Sequence, residues 1–272
     1  MNIGIIGTGN MGSIIVEAIM DGHAAPPSAM MITNRTLSKA QRLKNQYPGI
    51  QIGKDAAEVA ANAELLFICV KPLDVIGVLQ QIQPYLTAEK CLISITSPIR
   101  TDQLERHLSC SVIRAIPSIT NRALAGVSLI TYGENCRENW KKDTDFLFKQ
   151  ISTPVEIEEN ITRVASDIVS CGPAFFSYLL QRFIIGAVNE TGIDKEVATK
   201  LASEMIIGFG ELLKQEHYTL PTLLEKVCVK GGITGEGIDV LERELGEMFE
   251  HVFKATHRKF AEDLEKTRQQ FS

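Results

Sequence analysis

The stretch GTGNMG sets Gly7, Gly9 and Gly12 directly after an apolar run, NIGIIG at residues 2–7, and at the head of a helical pattern over 10–22. A strand, a glycine turn and a helix in that order make a phosphate cradle for a dinucleotide. Gly7 permits the tight turn, Gly9 lets backbone approach a pyrophosphate, and Gly12 lets the helix pack close to the strand. Backbone N–H groups along Gly7, Thr8, Gly9, Asn10 and Met11, backed by the helix dipole, are the expected phosphate donors.

An NAD site places an acid at the end of the second strand, about 20 residues on, to bond the ribose 2′-OH. Here that stretch reads TNRTLSK, with Asn34, Arg35 and Thr36 and no acid. Arg35 can pair a 2′-phosphate bidentately, and Asn34 and Thr36 can donate hydrogen bonds to it. NADP(H) is therefore expected over NAD(H). In CVKP, Val70, Lys71 and Pro72 end a fourth strand and should face the ribose and nicotinamide. TSP, residues 96–98, follows a fifth strand and should lie beside the nicotinamide. Ligands of open α/β sheets gather at such carboxyl ends.

A second glycine-rich stretch, VCVKGGITGEG at 227–237, stands in a half of the chain that otherwise reads as helix. Each glycine inside a helix costs about 1 kcal/mol relative to alanine. These four serve packing, a turn or a ligand. The five histidines (His23, His107, His217, His251, His257) fall on helix faces or loops and read as surface residues.

The elements that must position these residues follow from periodicity. Strands are expected at 2–7, 30–33, 50–53, 64–70, 90–96 and 110–116, with helices between them at 10–22, 36–46, 55–62, 73–86 and 101–107. Continuous apolar strands alternating with helices imply a doubly wound parallel α/β sheet covered on both faces. Segments 125–133 and 153–158 can add edge strands, with a helix near 137–150. Beyond about residue 161 only helical patterns remain, at 161–170, 174–190, 194–214, 219–228 and 240–268. PAFFSYLLQRFIIGAV, residues 173–188, is apolar nearly all round, so it must be buried on every side, and a second subunit is the expected cover.

At 272 residues the chain fits two domains better than one core. A net charge of −5 gives no electrostatic argument for nucleic acid or an anionic membrane surface. Six scattered cysteines show no CxxC spacing, so no metal site is expected, and reduced thiols of a cytoplasmic protein are. The N-terminus lacks a signal-peptide pattern, and no apolar run is expected to reach the roughly 20 residues that span a bilayer.

IGIIGTGNMG at the start, CVKP at 69–72, RAIPS at 114–118, SCGPAFF at 170–176 and KGGITGEG at 230–237 together resemble the pyrroline-5-carboxylate reductases. That family makes proline by NAD(P)H reduction of a cyclic imine. The resemblance covers most of the chain. It implies an α/β fold, a Rossmann doubly wound parallel sheet over 1–160 followed by an all-helical dimerisation domain over 161–272. It also implies a homodimer through the helical domain and assembly into larger oligomers. The turn at Gly231 and Gly232 would hold the substrate carboxylate, with Thr234 as the substrate-facing and catalytic hydroxyl. A basic cyclic imine binds already protonated, so no strong general acid is needed.

The departures are specific. Cys171 stands for a serine, Gln181 for an acid, IPSIT for Met-Pro-Asn-Thr-Pro, Ser97-Pro98 for Ala-Gly, and Val229-Lys230 for Ser-Pro. Losing the serine hydroxyl removes a donor to a charged group, worth roughly 1.5–3 kcal/mol. The pattern resembles a divergent paralogue of the kind encoded beside late competence genes. Two alternatives to imine reduction stay open: a non-catalytic NADP-binding regulator, or a reductase of a related small imine or carbonyl compound.

Overall fold

Strand β1 (Ile3–Ile6) is buried at every residue, as are β4 (Leu65–Ile68), β5 (Cys91–Ser94) and β6 (Ser111–Ile116). A strand that reads as an unbroken apolar run has helices on both faces. The computed structural model, which describes residues 1–271, shows that arrangement. With β2 (Met30–Thr33), β3 (Gln51–Ile52), β7 (Val127–Tyr132) and β8 (Thr153–Glu156), these strands form one sheet in the order β3-β2-β1-β4-β5-β6-β7-β8. Strands β1 to β6 are parallel. β7 runs antiparallel to β6, and β8 parallel to β7. The order reverses at β1, which pairs β2 on one side and β4 on the other. Such a switch point opens a crevice at the carboxyl ends of the strands.

Helices α1 (Asn10–Asp21), α2 (Leu37–Gln46), α3 (Ala56–Asn62), α4 (Val75–Ile82), α5 (Thr101–Glu105) and α6 (Glu138–Lys149) complete the two layers. One core packs Ile15, Ile19 and Phe148 against Ile5, Phe67 and Ile93. The other packs Val59, Leu79 and Ile82 against Leu66, Ile68 and Leu92. The successive side chains of each strand thus serve opposite cores. The doubly wound α/β expectation is met, with β7 as an antiparallel addition.

After β8 the chain enters α7 (Thr162–Ser166), passes through a π turn at Asp167–Cys171 and continues as α8 (Gly172–Thr191). Two helices, 161–170 and 174–190, are expected from the sequence; the structure joins them. Pro173 removes one helical donor, and the π turn accommodates it. The helical run Glu159–Thr191, 33 residues, is long and apolar enough by length and composition to cross a membrane. This corrects the expectation that no run reaches that length, which followed from splitting the pattern at Gly172-Pro173.

Packing divides the chain into two units, Met1–Pro173 with the residues from Ala255 onward, and Ala174–Lys254. The second unit holds most of α8, then α9 (Lys195–Lys214), α10 (Leu220–Val227), α11 (Ile233–Leu245) and the start of α12 (Met248–Arg268). Asp194 caps α9 by accepting from Glu196 and Val197 N–H at 2.8 and 3.1 Å. Ile184, Ala198 and Ala202 form its small buried core. Large apolar side chains of this unit stay exposed, among them Phe176 at 66%, Phe183 at 67% and Leu201 at 60%. The expected single helix over 240–268 is broken, because Gly246 has φ +46° and ends α11.

The C-terminal residues belong to the first unit through specific bonds. Thr256 Oγ1 donates to Asp167 at 2.7 Å, and Thr267 Oγ1 donates to the Pro98 carbonyl at 3.2 Å. Gln270 Nε2 donates to the Leu73 carbonyl at 3.3 Å.

Candidate functional site

The β1–α1 turn shows why each glycine is there. Gly7 has φ +99°, and a Cβ on it would lie 2.5 Å from the Cys69 carbonyl oxygen. A Cβ on Gly12 would lie 2.0 Å from the Gly7 carbonyl oxygen. These two glycines seat the turn against β4 and α1. A Cβ on Gly9 would meet nothing within 4 Å, so Gly9 faces open space. Gly9 is also the N-cap of α1 and supplies no side-chain cap. The first-turn N–H groups of α1 are therefore left for a ligand, with the positive end of the helix behind them.

Asn34 latches this turn to the end of β2. Its Oδ1 accepts from Thr8 N–H at 2.9 Å, and its Nδ2 donates to the Thr36 carbonyl at 3.0 Å. Thr8 N–H is thus held by the protein itself, as is Gly7 N–H, which donates to the Thr33 carbonyl at 2.9 Å; this corrects the expectation that these two donate to a phosphate. The Thr8 hydroxyl is buried and has no partner among the described residues. Thr36 precedes α2 without using its hydroxyl as a cap.

A cleft of about 810 Å³ opens over these strand ends. Its walls bring together Gly7, Gly9, Asn34, Arg35, Thr36, Val70 and Lys71. Thr8, Asn10, Met11 and Pro72 do not line the cleft. Sequence reading missed Lys39, Lys54 and the wall from Leu73 to Gln81. The available signal for Lys54 was its place just past β3, whose carboxyl end shares the β2 edge of the sheet. Cys69 also lines the cleft, but burial pushes its thiol well up, so it is a neutral wall.

Beyond β5, the Ser97 carbonyl accepts from Arg114 Nη1 at 3.3 Å. Arg114 is fully buried on β6. It also meets Glu159 at 2.9 Å, Thr131 Oγ1 at 3.2 Å and Thr162 Oγ1 at 2.6 Å. Burial pulls the guanidinium below its usual range, and Glu159 opposes that shift. The loop after β5 is thereby fixed to β7 and α7. All five histidines are exposed, and none lines the cleft.

The second glycine stretch lies in the helical unit and has its own geometry. Gly231 has φ +72°, a conformation that L side chains rarely adopt, and Gly232 is the N-cap of α11. Thr234 is therefore the second residue of the helix and not its cap. Its hydroxyl has no partner among the described residues. Gly235 and Gly237 sit inside α11, and a Cβ on Gly237 would meet nothing within 4 Å.

Strand order, glycine turn and cleft define a Rossmann-type dinucleotide-binding fold. Residues 2–98 match the family model described as NADP oxidoreductase coenzyme F420-dependent, and residues 159–263 match that described as pyrroline-5-carboxylate reductase dimerisation. The amino-terminal domain is thus of the NADP class. The chain is 31% identical to pyrroline-5-carboxylate reductase 3 of Bacillus subtilis (strain 168), over 95% of each chain. It is 54% identical to ComE operon protein 4 of the same organism, over 100% of this chain and 99% of that one. The crystal structure of Plasmodium falciparum pyrroline carboxylate reductase with NADP bound shares the fold, with a TM-score of 0.81 at 22% identity, over 100% and 98% of the two chains. The chain belongs to the pyrroline-5-carboxylate reductase family.

Proposed function

We propose that the protein reduces 1-pyrroline-5-carboxylate to L-proline with NADPH. The observation that carries this is the open phosphate cradle at Gly9, in a chain alike end to end to a named reductase of that imine. A reduced nicotinamide bound in the cleft would supply a hydride to the imine carbon. The C=N electron pair moves onto nitrogen, which keeps the proton it arrived with. The cofactor would lie along the turn Gly7, Thr8, Gly9, Asn10 and Met11, with the open N–H groups of the first turn of α1 at the pyrophosphate, Asn34, Arg35 and Thr36 at the adenosine ribose, and Val70, Lys71 and Pro72 toward the nicotinamide. In the helical unit, Gly232 N–H is held by the Val229 carbonyl at 2.9 Å, and the turn at Gly231 and Gly232 leaves the Ile233 and Thr234 N–H groups at the start of α11 for the carboxylate, with the Thr234 hydroxyl beside them.

Two copies associate through the exposed apolar face of the helical unit, where Phe176, Phe183 and Leu201 lie. Monomeric proteins rarely expose contiguous patches of this kind. Six free cysteines fit a reducing, cytoplasmic setting.

A second reading, an NADP-binding regulator without turnover, is favoured by one observation. The cofactor turn keeps all three glycines, while Val229, 62% exposed, and Lys230 stand where the family has Ser-Pro. NADPH oxidation by the purified protein with 1-pyrroline-5-carboxylate decides between them. Turnover is expected, with Thr234→Val lowering kcat/KM about 10- to 100-fold at unchanged NADPH affinity. NADPH binding without turnover in the wild type overturns reduction of this imine and leaves the regulator or a reductase of a related compound.

A further inference from the structure

Three cations, Arg35, Lys39 and Lys54, lie on one cleft wall and come from two separate strand ends. Arg35 and Lys39 follow β2, and Lys54 follows β3. Register sets Ile52 beside Ile32, so Lys54 and Arg35 leave neighbouring strands within a few residues of paired positions. None of the three forms an ion pair among the described residues. Elsewhere on the surface, pairing is common: Arg100, Arg106, Arg122 and Arg137 all have acidic partners. The acid nearest in sequence, Asp55, is occupied. Its Oδ1 accepts from Glu58 N–H at 2.8 Å and caps α3. Glu58 in turn accepts from Lys54 N–H at 2.7 Å. The backbone under Lys54 is therefore fixed from both sides, while its ammonium is free.

Topology says which part of a dinucleotide this wall meets. The pyrophosphate sits over the β1–α1 turn, and the adenosine ribose lies toward the end of β2. β3 is the next strand outward, and Lys71, past β4, is on the opposite side of β1. A phosphate on the ribose 2′-oxygen carries roughly two negative charges near neutral pH. We infer that Lys54 and Arg35 form a two-armed specificity element for an adenosine 2′-phosphate, with Lys39 as a third, peripheral cation. The arms come from different strand ends, so the phosphate is gripped across the β2–β3 seam. This rests on the NADP reading of the cleft.

Binding alone tests it, in the full chain. NADPH and NADH are titrated by fluorescence, and adenosine 2′,5′-bisphosphate and ADP compete. Lys54→Gln is expected to weaken NADPH and the bisphosphate about tenfold, and to leave NADH and ADP within about twofold. Lys54→Arg should keep the preference, and Arg35→Ala with Lys54→Gln should abolish it. Equal weakening of all four ligands, or no change in any, overturns the inference. A wild-type protein that binds neither NADPH nor NADH overturns the cofactor reading with it. Absence of imine turnover bears only on the proposed reaction.

Discussion

The Ser118 hydroxyl donates a 2.8 Å hydrogen bond to the carbonyl of Val169, four residues before Pro173. In a continuous α-helix the N–H at position 173 would occupy that carbonyl, and proline has none. Ser170 Oγ returns the connection by donating to the Pro117 carbonyl at 2.9 Å. The loop after β6 and the π turn before α8 are thus stitched reciprocally. The stitch lets an apolar helix run on from the sheet unit. Ser118→Ala removes this part-buried bond and the two that the hydroxyl accepts from Thr120, at a cost of about 1–3 kcal/mol. For a chain of this size that is a fall in Tm of several degrees. A thermal midpoint equal to the wild type would refute the role given to this bond.

Gly9 and Gly12 are two residues of one motif with opposite expected behaviour. Gly12→Ala drives a Cβ to 2.0 Å from the Gly7 carbonyl oxygen, so helix and turn must separate and the domain loses stability. Gly9→Ala meets no protein atom, so its fold is retained. On the proposed cofactor site, the added methyl would occupy the space a pyrophosphate needs. Gly9→Ala is therefore expected to keep the wild-type denaturation midpoint while losing about tenfold or more in NADPH affinity. If Gly9→Ala binds NADPH normally, the open space above it is not the phosphate site.

What could be read from the sequence was local. Gly7, Gly9 and Gly12 sit together in the chain, and the apolar strands announce burial on both faces. The rest depends on residues far apart in sequence. Thr267 reaches Pro98 across 169 positions, and nothing near either residue signals it. Arg114 reads as one polar residue in a buried strand until Glu159 and Thr162 arrive from beyond β8. Lys54 is an ordinary loop lysine until β3 pairs with β2. A π turn leaves no mark in the apolar pattern, so Gly172-Pro173 makes 161–190 read as two helices. Gly246 gives no stop signal in the sequence, because a lone glycine is tolerated inside a helical pattern.

The buried thiols set an alkaline limit to stability. Burial pushes up Cys69 and Cys91, and takes Cys110 and Cys136 to about 11. Burial first, then the nearby Asp21 carboxylate, takes Tyr47 to about 12, and burial takes Tyr132 to about 12. In the unfolded chain thiols titrate near ~8.5 and tyrosines near ~10. As pH rises, the unfolded state therefore loses protons first. It then binds fewer protons than the native state, so unfolding becomes easier with each step in pH. The contribution is intact below about pH 8.5 and is lost progressively as pH climbs through about 11 for Cys110 and Cys136 and about 12 for the tyrosines. Urea midpoints at constant ionic strength should hold steady to about pH 8 and fall clearly by about pH 10.5. Cys110→Ala should make that fall shallower, whatever it does to stability at neutral pH. A midpoint that stays flat across this range would mean that these thiols ionise as readily in the folded protein as in the unfolded one.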